Sequence, residues 1–269
     1  MYEEQLDLAV PFVPADERER DAAIRFFNAA YRAEESGLAQ AHALAASLER
    51  LEPELAEAVR LYGDEEGWHR ELLVEFLGYL EGGVRPMGHV TGTFYKLYAR
   101  AERMETILLT NLMFETIGSA TYRLALRRAT HPAVRQMLTI LTRDEAFHVP
   151  LNVHFMREIL RRRPPSSLVR LRAVYHLVFV ALVLSTVASR RRAQRFDKIP
   201  LAELARTYAS ELGGLFLHEP ELGLVPPKWV MRLAGVDTSK LDELEQSAAI
   251  SIEAAASAAD RASVVVEAL

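Results

Sequence analysis

Asp64-Glu65-Glu66-Gly67-Trp68-His69-Arg70-Glu71-Leu72-Leu73 decides how this chain is read, because Asp144-Glu145-Ala146-Phe147-His148 restates its core 79 residues later. Each stretch sets a Glu and a His three residues apart, which on a helix puts carboxylate and imidazole on one face. Roughly one such pair arises by chance in a chain of this composition, so a single pair says little. The two pairs sit in a larger repeat. On the helix before each stands another Glu, Glu35 at 31 residues before Glu66 and Glu115 at 30 before Glu145. Two helix–turn–helix halves thus carry one set: Glu35, Glu66 and His69, then Glu115, Glu145 and His148. A charge facing a bundle core is unfavourable unless it is paired or holds a metal. Four carboxylates and two imidazoles suit two divalent ions of the iron or manganese kind.

Outward from these stretches the pattern is helical. Apolar residues recur every three or four positions and no sustained alternation marks a strand, which predicts an all-α protein. The first helix opens after Pro14 and carries the stripe Ile24, Phe27, Tyr31, Leu38, Ala45 and Leu48 to about Leu51. The second runs from about Glu54 to Leu80 and stops at Gly82-Gly83; the third spans about Phe94 to Ala129. The fourth starts at Thr130-His131-Pro132, continues to about Arg162 and is stopped by Pro164-Pro165. A fifth covers about Ser167 to Phe196, shorter pieces lie near 201–212 and 227–233, and an Ala-rich helical stretch begins near Ser239. The economical architecture is a four-helix bundle with a fifth core helix over residues 15–196, and a helical C-terminal extension, 197–269, packed on it.

Composition narrows the chemistry. The 269 residues are 50% hydrophobic, enough for a large core. The absence of cysteine excludes disulfides, thiolate zinc sites, iron–sulfur clusters and cysteine nucleophiles. A net charge of −5 exerts no overall pull toward nucleic acid or anionic lipid, leaving only local patches. The acidic N-terminus lacks a signal-peptide pattern, so the expected location is cytoplasmic. The apolar run Ala173–Ala188 falls short of the roughly 20 residues that span a bilayer and reads as a buried core helix, with no membrane span. Ten Arg against the single acid Glu158 lie between Arg157 and Arg195. They suit either an acidic carrier or phosphorylated ligand, or ordinary helix-end charge.

Other positions follow from the repeat. Glu34 is as well in phase with Phe27, Tyr31 and Leu38 as Glu35, but aligning Glu35-Ser36 with Glu115-Thr116 favours Glu35 and sets His42 opposite Tyr122. His42 and Tyr122 become candidates to hydrogen-bond the ligand carboxylates, with plain core packing as the alternative. A metal-bound imidazole usually donates its other N–H to a carboxylate, which suggests Asp144 for His69 and Glu65 for His148. Gly118 and Ser119, one turn after Glu115, would leave room for O2 and substrate, and Ser119 could carry protons. Close helix packing would use the same small residues. Phe114, Phe147 and Trp68 read as core or helix-interface residues.

With these residues in place, residues 20–160 resemble the ferritin-like diiron-carboxylate superfamily, whose pattern is Glu, Glu-x-x-His, Glu, Glu-x-x-His over four helices. Residues 64–73 are similar to the second-helix segment of acyl-carrier-protein desaturases and related oxygenases. The resemblance implies two iron ions, or one manganese and one iron, with Glu66 and Glu145 bridging and Glu35 and Glu115 terminal and free to shift. It implies O2 reduction with electrons from an external donor and oxidation of a small or carrier-bound organic substrate by hydroxylation, desaturation or N-oxygenation. Two subtypes depart from this chain. The radical tyrosine of ribonucleotide reductase small subunits is replaced by Leu73, and the third histidine of p-aminobenzoate N-oxygenases by Leu141. A ferroxidase and a metal-free helical scaffold stay open as alternatives, and a homodimer is compatible with either.

Overall fold

The computed structural model describes residues 5–50, 52–86, 103–161, 166–219, 222 and 224–239. Its helices are α1 (Glu17–Leu48), α2 (Pro53–Tyr79), α3 (Met104–Arg128), α4 (Pro132–Arg161), α5 (Ser166–Asp197), α6 (Leu201–His218) and α7 (Lys228–Leu233). Among the described residues there is no strand. The expected start of the third helix at Phe94, the Pro164-Pro165 stop and the Ala-rich segment beyond Ser239 lie outside these residues.

Local chemistry sets the ends that matter. Asp16 is extended and its side chain accepts the Glu19 N–H at 2.7 Å, which satisfies one of the donors a helix start leaves open. Pro53 occupies the first position of α2, where a missing N–H costs nothing. The turn after α2 passes through Gly83 at φ +138°, a conformation a side chain would strain.

Helices α1 and α2 pack along one another, as do α3 and α4, while α5 lies against α1 and α3, and α6 against α3. The result is an all-α, ferritin-like bundle with a fifth helix. Its apolar interior is divided in two. One cluster joins Ala41 and Leu44 of α1, Val59 of α2, Leu109 and Leu112 of α3, and Phe155 and Met156 of α4. The other joins Phe27 and Tyr31 of α1, Leu73 and Phe76 of α2, Leu124 of α3, and Met137 and Leu141 of α4. Between them, at mid-height of all four helices, lies a layer of buried ionisable side chains. Helix α6 is tied into both clusters, through Leu204 in one and Ala209 and Leu212 in the other.

Three expectations change. The 201–212 piece extends to His218. Phe147, expected in the core or an interface, is exposed, because it sits one residue outside the stripe that carries Glu145 and His148. The fifth helix is a core helix on one face only. Leu171, Tyr175, Val178 and Phe179 are buried, yet only 28% of Ser167–Leu184 is, although this stretch is long and apolar enough to cross a membrane. Of the arginines counted above, Arg157 pairs with Glu219, Arg161 with Glu158, Arg170 with Glu105 and Arg190 with Asp197.

Phe27 and Phe76 meet edge-to-face with centroids 4.6 Å apart and are fully buried. Phe76→Ala is expected to lower unfolding free energy by about 3–5 kcal/mol, measured by urea denaturation, because it removes buried apolar contacts and leaves a cavity that the surrounding structure closes only in part.

Candidate metal centre

Glu34 from α1, Glu66 and His69 from α2, Glu115 from α3, and Glu145 and His148 from α4 are all buried in the polar layer. Their ligand atoms fall into two triads, Glu34, His69 and Glu145, and Glu66, Glu115 and His148. Each triad draws on both helical hairpins. His69 turns Nδ1 to Glu34 Oε2 at 3.2 Å. His148 turns Nδ1 to Glu66 Oε1 at 3.3 Å, Glu145 Oε2 at 3.4 Å and Glu115 Oε2 at 3.7 Å.

Glu34, rather than Glu35, occupies the layer, which corrects the choice made from the repeat. The buried stripe of α1 runs through Phe27, Ala30, Tyr31, Glu34, Gly37, Ala41 and Leu44. Glu35 is rotated about 100° from it and pairs with Arg32 at 2.5 Å, its side chain 40% exposed. His42 shares the error. It lies outside the layer, half exposed, and its Nε2 meets Asp64 Oδ1 at 3.2 Å. Aligning the halves on Glu34 puts Ala41 opposite Tyr122, so this part of the repeat is not symmetric.

The outer nitrogens of both imidazoles meet carboxylates, each from the other hairpin. His69 Nε2 lies 3.1 Å from Asp144 Oδ2, and His148 Nε2 lies 3.3 Å from Glu65 Oε2. Arg143 donates to Asp144 at 2.6 Å. Tyr122 donates its hydroxyl to Glu34 Oε1 at 3.4 Å. Ser119 is buried on α3 but does not line the small cavity beside the layer, whereas Gly118 does. That cavity, with Ala33, Ser36 and Phe114 on its wall, offers about 20 Å³ to the centres of water molecules, enough for one.

Residues the sequence reading passed over complete the layer. Tyr62 donates to Glu115 Oε1 at 3.0 Å and accepts from Asn111 Nδ2 at 2.9 Å. Asn111 also donates to Asn152 Oδ1 at 3.2 Å, and Asn152 donates to the His148 carbonyl at 3.0 Å. Tyr62, Asn111 and Asn152 stand four residues from Glu66, Glu115 and His148, and that one-turn spacing is the signal that could have found them. Gly37 is a further one: a Cβ there would stand 2.8 Å from Glu66 Cδ.

Electrostatics make the layer unstable without positive charge. Burial, with the charges of Glu34 and Glu115, pushes the Glu66 carboxyl well above the ordinary range. Burial and the Glu115 charge do the same to Glu145. Burial works against charge on Glu115 too, but the neighbouring Glu145 carboxyl, the His148 ring and the Tyr62 hydroxyl hold it down to about 2. Burial also opposes charge on His69, yet Asp144 and Glu34 raise it to about 9. His148 is raised further by Glu115, Glu145 and Glu65 against its burial. In the metal-free chain, protons on these groups do the work a cation could do.

The donor set fits divalent metal. Glu66 Oε1, Glu145 Oε2 and His148 Nδ1 are buried without a hydrogen-bond partner, and the two oxygens lie 3.3–3.4 Å from that nitrogen. Neighbouring ligands of one octahedral ion with bonds near 2.1 Å stand about 3 Å apart. Oxygen and imidazole donors without sulfur suit iron or manganese.

No known protein family matches the chain, and no curated protein matches its sequence. Among solved structures it is similar to protein 19 with aldehyde deformylating oxidase activity from Synechococcus. The TM-score is 0.61 at 18% identity, over 90% of this chain and 100% of that one. The likeness is one of fold.

Two outcomes are expected. The protonated His69 pairing, raised from 6.5 to about 9, contributes stability that is full below about pH 6.5 and fades as pH rises through 9. Asp144, held at about 2, contributes stability that fades only as pH falls from 3.8 through 2. The melting temperature of the metal-free chain should therefore decline between about pH 6.5 and 9, and His69→Gln should flatten that decline. An unaltered alkaline limb would show that the pairing contributes nothing. Separately, Gly37→Ala should weaken metal affinity by roughly 10- to 100-fold in a competitive chelator titration, with helicity by circular dichroism unchanged.

Proposed function

We propose that the chain is a dinuclear iron oxidase whose metal ions are held by Glu34, Glu66, His69, Glu115, Glu145 and His148. The observation that carries this reading is the pair of buried triads with unpartnered atoms turned inward. Residues 15–196 would form the metal-holding bundle and the remainder a helical extension packed on it, in a cytoplasmic protein. When bound, the ions would supply O2 reduction and substrate oxidation, with electrons from an external donor and with one manganese in place of iron as a variant.

The chain's own residues supply the rest. Asp144 and Glu65 fix the orientation and tautomer of His69 and His148 by accepting from their outer N–H groups. Tyr122 and Tyr62 hold Glu34 and Glu115, each by a single hydroxyl, leaving both carboxylates less constrained than a fully hydrogen-bonded one. The apolar clusters above and below exclude water and strengthen every charge interaction in the layer. Glu115 lines the cavity together with Glu34, Glu66 and Glu145, so an incoming small molecule would meet these carboxylates, whereas Ser119 does not line it.

An organic substrate, small or carrier-bound, is supported by the aldehyde deformylating oxidase activity of the structural neighbour. The one-water size of the cavity favours a second reading, in which Fe(II) itself is oxidised. Anaerobic Fe(II) loading followed by desalting should leave about two iron ions per chain, and Glu66→Ala with Glu145→Ala should abolish retention. Iron at the same level in that double variant would sink both readings. Turnover of many Fe(II) per chain, with O2 uptake indifferent to added aldehydes and other organics, would favour the second.

A further inference from the structure

The outward face of α5 is apolar where a solvent-facing helix would be polar. Val169, Ala173, Leu177, Val180, Leu184 and Val187 recur at three and four, a stripe about 27 Å long. Leu177 is 71% exposed and Leu184 64%. Scattered exposed apolar residues are ordinary, but a continuous stripe marks a surface that meets something.

Charge indicates what it meets. Ser167–Leu184 contains no acid, and exposed arginines stand toward both ends of the stripe, Arg172 on one side and Arg192 and Arg195 on the other. Glu105, which meets Arg170, and Asp197, which meets Arg190, are buried, and Asp16 lies 3.9 Å from Arg195. This cationic frame belongs to a chain of net charge −5, so it is segregated rather than a result of overall composition.

We propose that this face rests on an anionic lipid surface, with α5 in the plane of the interface, its stripe at the acyl boundary and its arginines among the headgroups. The helix lies on the bilayer and does not cross it, because Leu171, Tyr175, Val178 and Phe179 on its inner face belong to the core. A second copy fits less well. Pairing α5 with α5, parallel or antiparallel, brings arginine ends against arginine ends with no acid in the stripe to meet them.

The test is co-sedimentation of the full chain with vesicles of phosphatidylcholine alone and with about 30% phosphatidylglycerol. Binding is expected on the anionic vesicles, and raising salt to about 0.5 M should reduce it. Leu177→Glu with Leu184→Glu should lower the bound fraction roughly tenfold, whereas Leu61→Glu with Val74→Glu, exposed apolar residues of α2, should not. Absence of binding, or binding equal on neutral vesicles and insensitive to the α5 pair, overturns the proposal. A dimer that the α5 pair dissociates without any vesicle binding overturns it in favour of a second copy. A fall of more than about 5 °C in melting temperature for the α5 pair, larger than surface substitutions give, overturns it in favour of a face covered by the chain itself.

Discussion

Four carboxylates and two imidazoles share the middle of an apolar bundle, and the other features of the interior answer to that concentration of charge. Without compensation the layer would separate the helices. With protons, or with metal in their place, it joins them. The partners around the layer all serve this end: Asp144 and Glu65 at the outer imidazole nitrogens, Tyr62 and Tyr122 at carboxylate oxygens, and Gly37 beneath Glu66. A buried ion network is poor evidence of stability in itself, since apolar substitutes often serve as well. Its retention here is better understood through what the network can hold.

Much of this was legible because helical periodicity is a strong signal. The two Glu-x-x-His pairs, Glu115, and the acids preceding each pair all fall in the layer, since a spacing of three on one helix is decided by geometry within a single turn. What the periodicity could not decide was phase. Glu34 and Glu35 lie 100° apart on a stripe wider than that, and the internal repeat favoured the wrong one because the halves differ by two residues in offset, 32 from Glu34 to Glu66 against 30 from Glu115 to Glu145. His42 followed Glu35 out of the core for the same reason. Tyr62, Asn111 and Asn152 escaped notice because their role depends on contacts between α2, α3 and α4, which no single helix reveals. The exposed outer face of α5 was hidden by composition: a helix that is apolar all round reads as core whichever side is covered.

The two metal triads also bear on how the chain finds its arrangement. Neither hairpin contains a complete triad: Glu34 and His69 need Glu145, and Glu115 and His148 need Glu66. Apolar stripes that repeat every three or four residues can interlock at several registers, each offset by one turn, with nearly equal burial. Sliding α3–α4 by one turn, about 5.4 Å, would lay Glu145 and His148 against leucines and phenylalanines and strand Glu66 without its partner. The ionisable layer therefore acts as the key that selects one alignment among many. The length of chain joining the hairpins is then free to vary without disturbing how they meet.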